Sequence, residues 1–537
     1  MNPSANTKSS KRPRRVSLST VATLLISSSL AGQVLGFLRT KMVSANFPST
    51  GPQSTDAYFA AFNIPDFFFF TLAAGALGVA FMPVLADRLQ HGDRKGMWEL
   101  SASLMNLLAL VMLGVAIIIL LFAEPLIHYV VAPNLTPAQL HNAVIIMRLD
   151  ALSPLLFTLS GVLTATQQTL GRFFFYALAP LFYNLSIIAS IVLFRHNIGL
   201  VGLGIGALAG GILQLLVVLF GLTGLKFHWR PKIVWRSSDF RTILRNLPPR
   251  SLDQGIDQIE NIVETNIASH LGQSFISVYN YAYTLQTAPI LLIGTAISTA
   301  AFPRLNQRLS QGRPDLFRRD FLRILRAMIW ITMPVVVVSY FARGYLARII
   351  FGSTGNNAAE ISVIFGFLTM AILFRTIYTI VSRWFYAQKD TKTPLFVSIF
   401  TIGLNIVLAY SLSRPGSYGV VGLALAQSIV AMVEVLILFA IMLIRDHKLL
   451  DMTFFGGLGR IVSVTGFSVV AGSTMAALLP LGVNDRGYTT LGTKLLAIAF
   501  VTFAVHVGVS ALFGLEEVEP LFRRIKQLVL KPIRIQY

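Results

Sequence analysis

The chain has no cysteine among its 537 residues, and charged residues make up only 12% of it. The absence of cysteine excludes disulfides, thiolate metal sites and cysteine nucleophiles. Hydrophobic residues make up 54% of the chain and the mean hydropathy is +0.68. Because no single soluble core could bury that much apolar surface, the composition predicts a polytopic membrane protein.

The sequence patterns of common enzymes are missing as well. There is no Walker A, HExxH or GxSxG pattern and no Cys/His metal cluster, and isolated histidines such as His128 and His270 do not amount to a site. We therefore expect neither catalysis nor a cofactor nor a metal centre. Transport would draw on an ion gradient, the membrane potential or the substrate gradient, and the choice between Na⁺ and H⁺ as a coupling ion is left open.

Acidic residues are scarce relative to basic ones, with 23 Asp and Glu against 44 Lys and Arg, which gives a net charge of +21. The basic residues cluster between apolar runs, so they indicate topology rather than a nucleic-acid partner. If fourteen spans are counted, the basic tail 1–17, the linker 226–250 and the tail 516–537 all fall on one side. The positive-inside rule then places both termini in the cytoplasm.

Long apolar runs repeat along the chain and fit helices that cross a hydrocarbon core of about 30 Å. The sequence predicts an all-α protein with about fourteen transmembrane helices. The expected spans are about 18–46, 55–88, 97–122, 137–167, 172–194, 199–223, 240–271, 274–309, 317–342, 357–387, 392–413, 418–445, 455–480 and 489–514.

Two short patterns recur at one common offset of 220 residues. P-x-L-x-x-R-L-x-x-G occupies 83–92 and 303–312, and G-x-V-G-L occupies 199–203 and 419–423. The offset covers six spans, an even number, so the two halves have the same orientation in the membrane. We expect two six-helix lobes, 18–225 and 251–446, which enclose a cleft and rock against each other. The last two spans, within 447–515, lie outside the repeat.

Ionisable residues at membrane depth are costly, so they are candidates for function. The first two spans carry Arg39, Lys41, Asp56 and Asp66. Arg39 either contacts a substrate or forms a structural ion pair. Asp56, with Thr55 beside it, either takes part in outward gating or caps a helix.

The seventh span carries four acids at spacings of 4, 3 and 4, which places them on one helical face: Asp253, Asp257, Glu260 and Glu264. One interpretation is a cavity wall that binds a cation, a proton or a basic part of a substrate. The other is that the first two acids pair with Arg245 and Arg250 at the interface.

Three further features are weaker candidates. Glu434 in an otherwise apolar span suggests ion coupling. Arg375 and Arg383 are expected to extend toward the interface. The run 66–70, DFFFF, is expected to face lipid or neighbouring helices rather than to form a stacking platform.

Several longer motifs resemble those of the MurJ/MviN lipid II flippases of the MOP exporter superfamily. The most specific is FYAQKDTKTP at 385–394, and it is accompanied by VLGFLRT at 34–40 and TDAYFAAFNIP at 55–65. The resemblance covers nearly the whole chain. It implies two bundles around a central cavity, with the last two helices forming a groove for a polyprenyl tail.

The resemblance also implies roles for individual positions. Arg39 and Asp56 match an arginine and an aspartate of the family pattern. Gln33, Phe69 with Phe70, and Tyr283 with Thr284 stand where the family usually has further charged residues. We therefore expect Arg39, Gln33, Asp56 and Thr284 to contact the substrate.

The expected function is an alternating-access flippase of a polyprenyl-pyrophosphate-linked peptidoglycan precursor, lipid II, in the bacterial inner membrane. Expected partners are this lipid-linked substrate, membrane lipids and other cell-envelope synthesis proteins, with the chain itself a monomer. One rival is a diverged exporter of another lipid-linked glycan or of a cationic solute. Another is a non-transporting scaffold for envelope synthesis.

Overall fold

The structure is a computed structural model that describes residues 18–74, 81–225, 227, 229–352, 357–414, 416–450, 452–482, 485, 487–519 and 523. The side chains of residues 18–23, 26, 74 and 246–254 lie outside this description. The expected basic tail 1–17 and most of the tail 516–537 therefore fall outside the described residues.

The regular secondary structure of the described residues is helical. The first half contains α1 (Leu18–Asn46), α2 (Thr55–Phe69), α3 (Met82–Gln90), α4 (Arg94–Pro125), α5 (Pro137–Asp150), α6 (Ser153–Thr169), α7 (Phe174–Phe194) and α8 (Gly202–Phe220). The second half contains α9 (Ser238–Leu271), α10 (Phe275–Pro289), α11 (Ala296–Ser310), α12 (Pro314–Phe341), α13 (Arg343–Phe351), α14 (Asn357–Ala387), α15 (Lys392–Leu412) and α16 (Val420–Arg445). The chain continues with α17 (Met452–Leu478) and α18 (Tyr488–Leu512).

The all-helical membrane fold expected from the sequence is confirmed. Among the described residues, 11 helical segments are long and apolar enough to cross a membrane. The three other expected spans coincide with α1, with α2 followed by α3, and with α9. Helix α9 carries the acidic residues of the seventh span, which lower its hydropathy.

Helix ends are set by local capping chemistry. The Ser54 hydroxyl accepts a hydrogen bond from the Asp56 backbone N–H at 3.1 Å and begins α2. Thr136 and Gln139 form a capping box at the start of α5. Such caps satisfy backbone donors that the first turn of a helix leaves unpaired.

The sequence repeat has a counterpart in the backbone. Helices α2 and α10 are each followed by a π-helical segment, Phe70–Ala74 in the first half and Ile290–Thr295 in the second. The glycines that end the first pattern and those that begin the second all have positive φ, with values of 77° at Gly92, 66° at Gly312, 71° at Gly199 and 55° at Gly419. Glycine adopts this conformation at little steric cost, which explains its place in both copies.

The helix bundle has two ends, which we call the basic side and the opposite side. The basic side holds the ends of α3, α11 and α16, where Arg88 pairs with Asp239 at 2.7 Å and Arg445 with Asp390 at 2.6 Å. The opposite side holds the starts of α2, α10 and α14. It carries the contact between Gln53 Oε1 and the backbone N–H of Leu200, at 2.6 Å.

The buried apolar residues divide in the same way. On the basic side one core, around Leu85, Leu104 and Phe240, joins the first half to the start of α9, and the rest of the second half has a separate core around Phe321 and Trp384. On the opposite side a single core is shared by both halves; it includes Ala57 and Ile64 of α2 with Ile276 of α10 and Ile361 of α14. The halves thus share one core on the opposite side, whereas on the basic side only the start of α9 packs against the first half.

Candidate substrate cavity and charge cluster

A cavity of about 590 Å³ lies between the two halves. Helices α1, α2, α6, α7 and α8 line it from the first half, and α9 and α10 line it from the second. Its size lies within the range of about 300–1,000 Å³ that is typical of ligand sites in proteins. It is therefore the candidate substrate site.

Arg39 of α1 lies on the wall of this cavity. Its guanidinium carbon is 6.0 Å from the centre of the Tyr183 ring of α7, which is within the range of a cation–π contact. Within the described part of the chain, no carboxylate forms an ion pair with Arg39. The structural alternative, an ion pair with a residue such as Asp56, is therefore not formed, and the guanidinium is available to a ligand.

Two acidic side chains line the same cavity. Asp66 of α2 is close enough to Arg39 for electrostatic attraction, although the two do not form an ion pair. Glu264 of α9 lies on the wall contributed by the second half. Among the described residues, the cavity wall therefore contains one arginine and two carboxyl groups, together with uncharged polar side chains such as Asn63 and Gln214.

Half of the other residues that line the cavity are aromatic. The aromatic residues that line the cavity are Tyr58, Phe59, Phe62, Phe69, Phe70, Phe157, Tyr183, Tyr279 and Tyr283. Phe69 and Phe70 both line the cavity, which was not expected, and the Phe69 ring also packs against Phe157 of α6 with the ring centres 5.5 Å apart. The expected packing between helices is therefore confirmed for Phe69. The π-helical segment that begins at Phe70 changes the direction in which the side chains after Phe69 project.

Asp56 does not line the cavity but is buried on the opposite side, with 2% of its surface exposed. One carboxylate oxygen accepts a hydrogen bond from the backbone N–H of Ser274 at 2.7 Å. The other accepts from the backbone N–H and the hydroxyl of Ser277, at 2.8 and 2.5 Å. Asp56 therefore caps the start of α10 across the two halves, and its expected role as a substrate contact is corrected.

Two other expected contacts also lie outside the cavity wall. Gln33 is exposed and is six residues before Arg39 on α1, so it projects from a different face of that helix. The Thr284 hydroxyl donates a hydrogen bond to the carbonyl of Asn280 at 2.9 Å, within its own helix. Its neighbours Asn280 and Tyr283 line the cavity instead.

A second group of charged residues lies inside the second half. Arg375 of α14 pairs with Glu434 of α16 at 3.1 Å, and the other oxygen of Glu434 accepts a hydrogen bond from Ser398 at 2.9 Å. These three residues and Asp257 line a small cavity of about 110 Å³. The expectation that Arg375 extends to the interface is corrected, because the buried carboxylate of Glu434 keeps it inside the bundle. The corresponding expectation for Arg383 stays a prediction.

Glu260 and Glu264 share one partner next to this pair. The Asn405 side-chain amide of α15 donates hydrogen bonds to both carboxylates, at 3.1 Å for Glu264. Both acids are buried, with 7% and 3% of their surfaces exposed. The side chain of Asp253, the fourth acid of this face, lies outside the described residues. We call Asp257, Glu260, Glu264, Arg375, Asn405 and Glu434 the second-half charge cluster.

Metal binding receives no support from the described residues, in which no group of three or more His, Asp or Glu side chains is placed to hold a metal ion.

Known proteins resemble this chain in both sequence and fold. A family model described as lipid II flippase MurJ matches residues 52–502, which is most of the chain. The chain belongs to the MurJ lipid II flippase family. The family consists of transporters rather than enzymes, so the chain is a membrane transporter and not an enzyme.

Curated relatives match over almost their full length. A probable lipid II flippase MurJ of Rhizobium meliloti is 25% identical over 509 residues, which cover 91% of this chain and 92% of the relative. A protein of the same description from Thermotoga maritima is 25% identical over 505 residues, covering 92% and 96%.

Solved structures share the fold. One described as lipid II flippase MurJ in an inward closed conformation has a TM-score of 0.76 at 22% identity and covers 91% of this chain and 98% of its own. An inward-facing multidrug resistance transporter of the MATE family and MOP superfamily has a TM-score of 0.66 at 16% identity, covering 78% and 95%. The fold is therefore that of the MurJ family, and it is related to that of the MATE transporters.

Sequence reasoning missed several residues that the fold of this family brings to the cavity. Tyr58, Tyr183 and Gln214 line it, yet they lie in different helices and share no motif. The Arg375–Glu434 pair could have been suspected, because two opposite charges within otherwise apolar spans are costly unless they meet.

Proposed function

We propose that the protein is a flippase that moves lipid II across the bacterial inner membrane by alternating access, with its basic side in the cytoplasm. The observation that carries this proposal is the cavity between the halves with Arg39 on its wall. A guanidinium is always charged and donates forked hydrogen bonds that suit phosphate oxygens. Arg39 would hold the pyrophosphate while the aromatic wall packs against the sugars of the headgroup.

The distribution of contacts supports alternating access. Hydrogen bonds join the halves on the opposite side, through Asp56 as described above and through Thr55 to Ser277 at 2.7 Å. The shared apolar core lies on that side too, whereas the cores on the basic side are separate. Rocking the lobes 18–225 and 251–446 about this region would open and close the cavity toward the cytoplasm.

Helices α17 and α18 suit a role in holding the polyprenyl tail. Val470 and Phe500 expose 63% and 75% of their surfaces, so the pair presents a broad apolar surface to lipid. An undecaprenyl chain would lie against this surface while the headgroup occupies the cavity. This assignment completes the proposed division of the chain, with 447–515 as the tail-binding segment.

Transport of a fluorescent lipid II analogue in vesicles tests the proposal. We expect the purified protein to move the analogue between leaflets and to restore growth to a flippase-deficient bacterium. A lipid with the same polyprenyl pyrophosphate but an unrelated glycan tests whether the protein recognises the glycan of the headgroup. Movement of neither lipid, with no rescue of growth, would overturn the proposal.

A second candidate is export of a cationic solute, which the carboxyl groups of Asp66 and Glu264 on the cavity wall favour. The substitution Glu264→Gln distinguishes the two functions. A cation exporter loses transport, whereas a pyrophosphate carrier keeps it or improves because a like charge is removed. Glu124→Gln is the matched control, since Glu124 is exposed at the end of α4.

The orientation of the basic side can be tested with single cysteines, because the natural chain has none. We expect Gln273→Cys, on the opposite side, to react with a membrane-impermeant maleimide added to intact spheroplasts. His91→Cys, on the basic side, should react only after the membrane is permeabilised. The reverse pattern would contradict cytoplasmic placement of the basic side.

A further inference from the structure

The segment that joins the two halves has an ordered conformation without regular secondary structure. Residues 229–237, with the sequence WRPKIVWRS, run between α8 and α9, and we call them the strap. Two Trp-Arg pairs, at 229–230 and 235–236, mark its ends. The proposed flippase function assigns no role to this segment.

Side chains of α4 hold the backbone of the strap in place. The Asn106 amide donates to the carbonyls of Arg230 and Lys232, at 2.7 and 3.1 Å. The Ser103 hydroxyl accepts a hydrogen bond from the Val234 backbone N–H at 3.2 Å. An irregular segment with this many specific anchors is a surface with a defined shape rather than a loose linker.

The strap nevertheless exposes its two tryptophans. Trp229 and Trp235 each expose 54% of their surfaces, although the Trp229 indole N–H donates to Asn106 Oδ1 at 2.9 Å. The other three of the five tryptophans in the chain, Trp98, Trp330 and Trp384, are at most 8% exposed. The Trp235 ring also packs edge-to-face against the buried Phe240 ring, with centres 5.8 Å apart, so each indole is anchored on one side and exposed on the other.

The position of Asn106 along α4 gives the depth of the strap. Leu110, with 64% of its surface exposed, begins the exposed apolar stretch of α4 that suits contact with lipid. Asn106 precedes it by four residues, or about 6 Å along the helix. That distance falls within the headgroup layer, which adds about 5–7 Å on each side of the hydrocarbon core. Tryptophan is enriched at this level in membrane proteins.

Three basic residues of the strap are exposed beside these rings: Arg230, Lys232 and Arg236. Arg230 has an ion-pair partner, Glu99, at 3.7 Å, but both side chains are mostly exposed and such a pair contributes little. Basic residues near the surface attract anionic lipids, and the indole rings suit the adjacent interface. We propose that the strap is a binding surface for the headgroups of anionic phospholipids in the surrounding bilayer.

Tryptophan quenching by brominated lipids tests this proposal, because the buried tryptophans contribute little to it. The full-length protein is placed in mixed vesicles of phosphatidylglycerol and phosphatidylethanolamine, with bromine near the headgroup end of one lipid at a time. We expect brominated phosphatidylglycerol to quench at least about twofold more than brominated phosphatidylethanolamine. Equal quenching by the two lipids, or no quenching by either, would overturn the proposal.

Charge variants separate the strap from the general charge of the basic side. The triple variant Arg230→Gln, Lys232→Gln and Arg236→Gln should abolish the preference while quenching by phosphatidylethanolamine persists. The control variant Arg313→Gln, Arg319→Gln and Arg323→Gln removes the same charge from exposed positions of the second half and should keep the preference. A loss of preference in both triple variants would show that only net charge matters and would contradict a specific surface. Trp229→Phe with Trp235→Phe should remove the lipid-dependent signal, and persistence of the signal would also contradict the proposal.

Discussion

The two halves share a repeated backbone but treat their buried arginines differently. In the first half Arg39 faces the central cavity without an ion-pair partner in the described chain. In the second half Arg375 is neutralised by Glu434 within the charge cluster. A charge left unpaired at this depth is costly, so its persistence indicates a ligand, whereas a neutralised charge indicates a structural contact. We therefore propose that the charged contact to the substrate comes from the first half.

The largest expected effect comes from breaking the pair in the second half. Arg375→Met leaves Glu434, only 3% exposed, as an uncompensated buried charge. We expect a loss of about 3–5 kcal/mol in the free energy of unfolding. Thermal and denaturant unfolding in detergent measure it. Arg375→Met combined with Glu434→Met should recover most of the stability, and Arg383→Met serves as a control outside the pair.

The next effect concerns the arginine of the first half. Arg39→Ala should weaken binding of a lipid II headgroup by about 10- to 100-fold, because one or more hydrogen bonds from a charged donor are lost. The affinity of Arg39→Lys should lie between those of Arg39→Ala and the natural protein. Lysine keeps the charge but cannot donate the paired hydrogen bonds of a guanidinium. The free energy of unfolding of both Arg39 variants should change little. A large loss of stability with unchanged affinity would reverse the contrast between Arg39 and Arg375.

A smaller effect is expected where the halves meet. Asp56→Asn removes the negative charge that caps the start of α10 and should weaken the closed arrangement of the opposite side by about 1–2 kcal/mol. Spin labels at His141→Cys and Gln273→Cys report the separation of the halves, which should shift toward longer distances. Thr136→Ala, which removes a cap within the first half, should lower stability without changing that distance. If both substitutions leave the distance unchanged, Asp56 does not hold the halves together.

The smallest effect lies in a connection on the basic side of the second half. Asp390 accepts hydrogen bonds from the Lys392 and Thr393 backbone N–H groups, both at 3.0 Å, and pairs with Arg445 at 2.6 Å. Although partial burial alone would raise it, the pKa of Asp390 is lowered to about 2 by the Thr393 and Arg445 contacts. A lowered pKa means that the charged form stabilises the fold near neutral pH and that this contribution is lost as the pH falls toward 2.

Asp390→Asn should therefore cost up to about 1 kcal/mol of unfolding free energy near neutral pH and progressively less in acid. Unfolding of both proteins as a function of pH measures the difference. A difference that stays constant down to pH values near 2 would show that the charge of Asp390 does not contribute. The motif FYAQKDTKTP, the most specific sign of the family, would then need an explanation other than this ion pair.

The interpretation of the acidic face of α9 shows where sequence reasoning stops. The spacing of Asp257, Glu260 and Glu264 placed them on one face, and the structure brings the last two to Asn405. Which of them reaches the cavity depends on where α15 and α10 pack against α9. Helical spacing carries no information about that packing. The sequence alone therefore could not show that Glu264, and not Glu260, lines the cavity.

Composition and apolar periodicity were enough to determine the helical membrane fold and most span boundaries to within a few residues, and motifs such as FYAQKDTKTP indicated the family by resemblance. These properties are local or periodic along the chain, so they can be seen in the sequence. The tertiary structure alone decided that Phe69 and Phe70 face the cavity, that Asp56 caps α10 and that Arg375 meets Glu434. Each of these depends on contacts between residues tens to hundreds of positions apart or on a π-helical turn, and no sequence period encodes them.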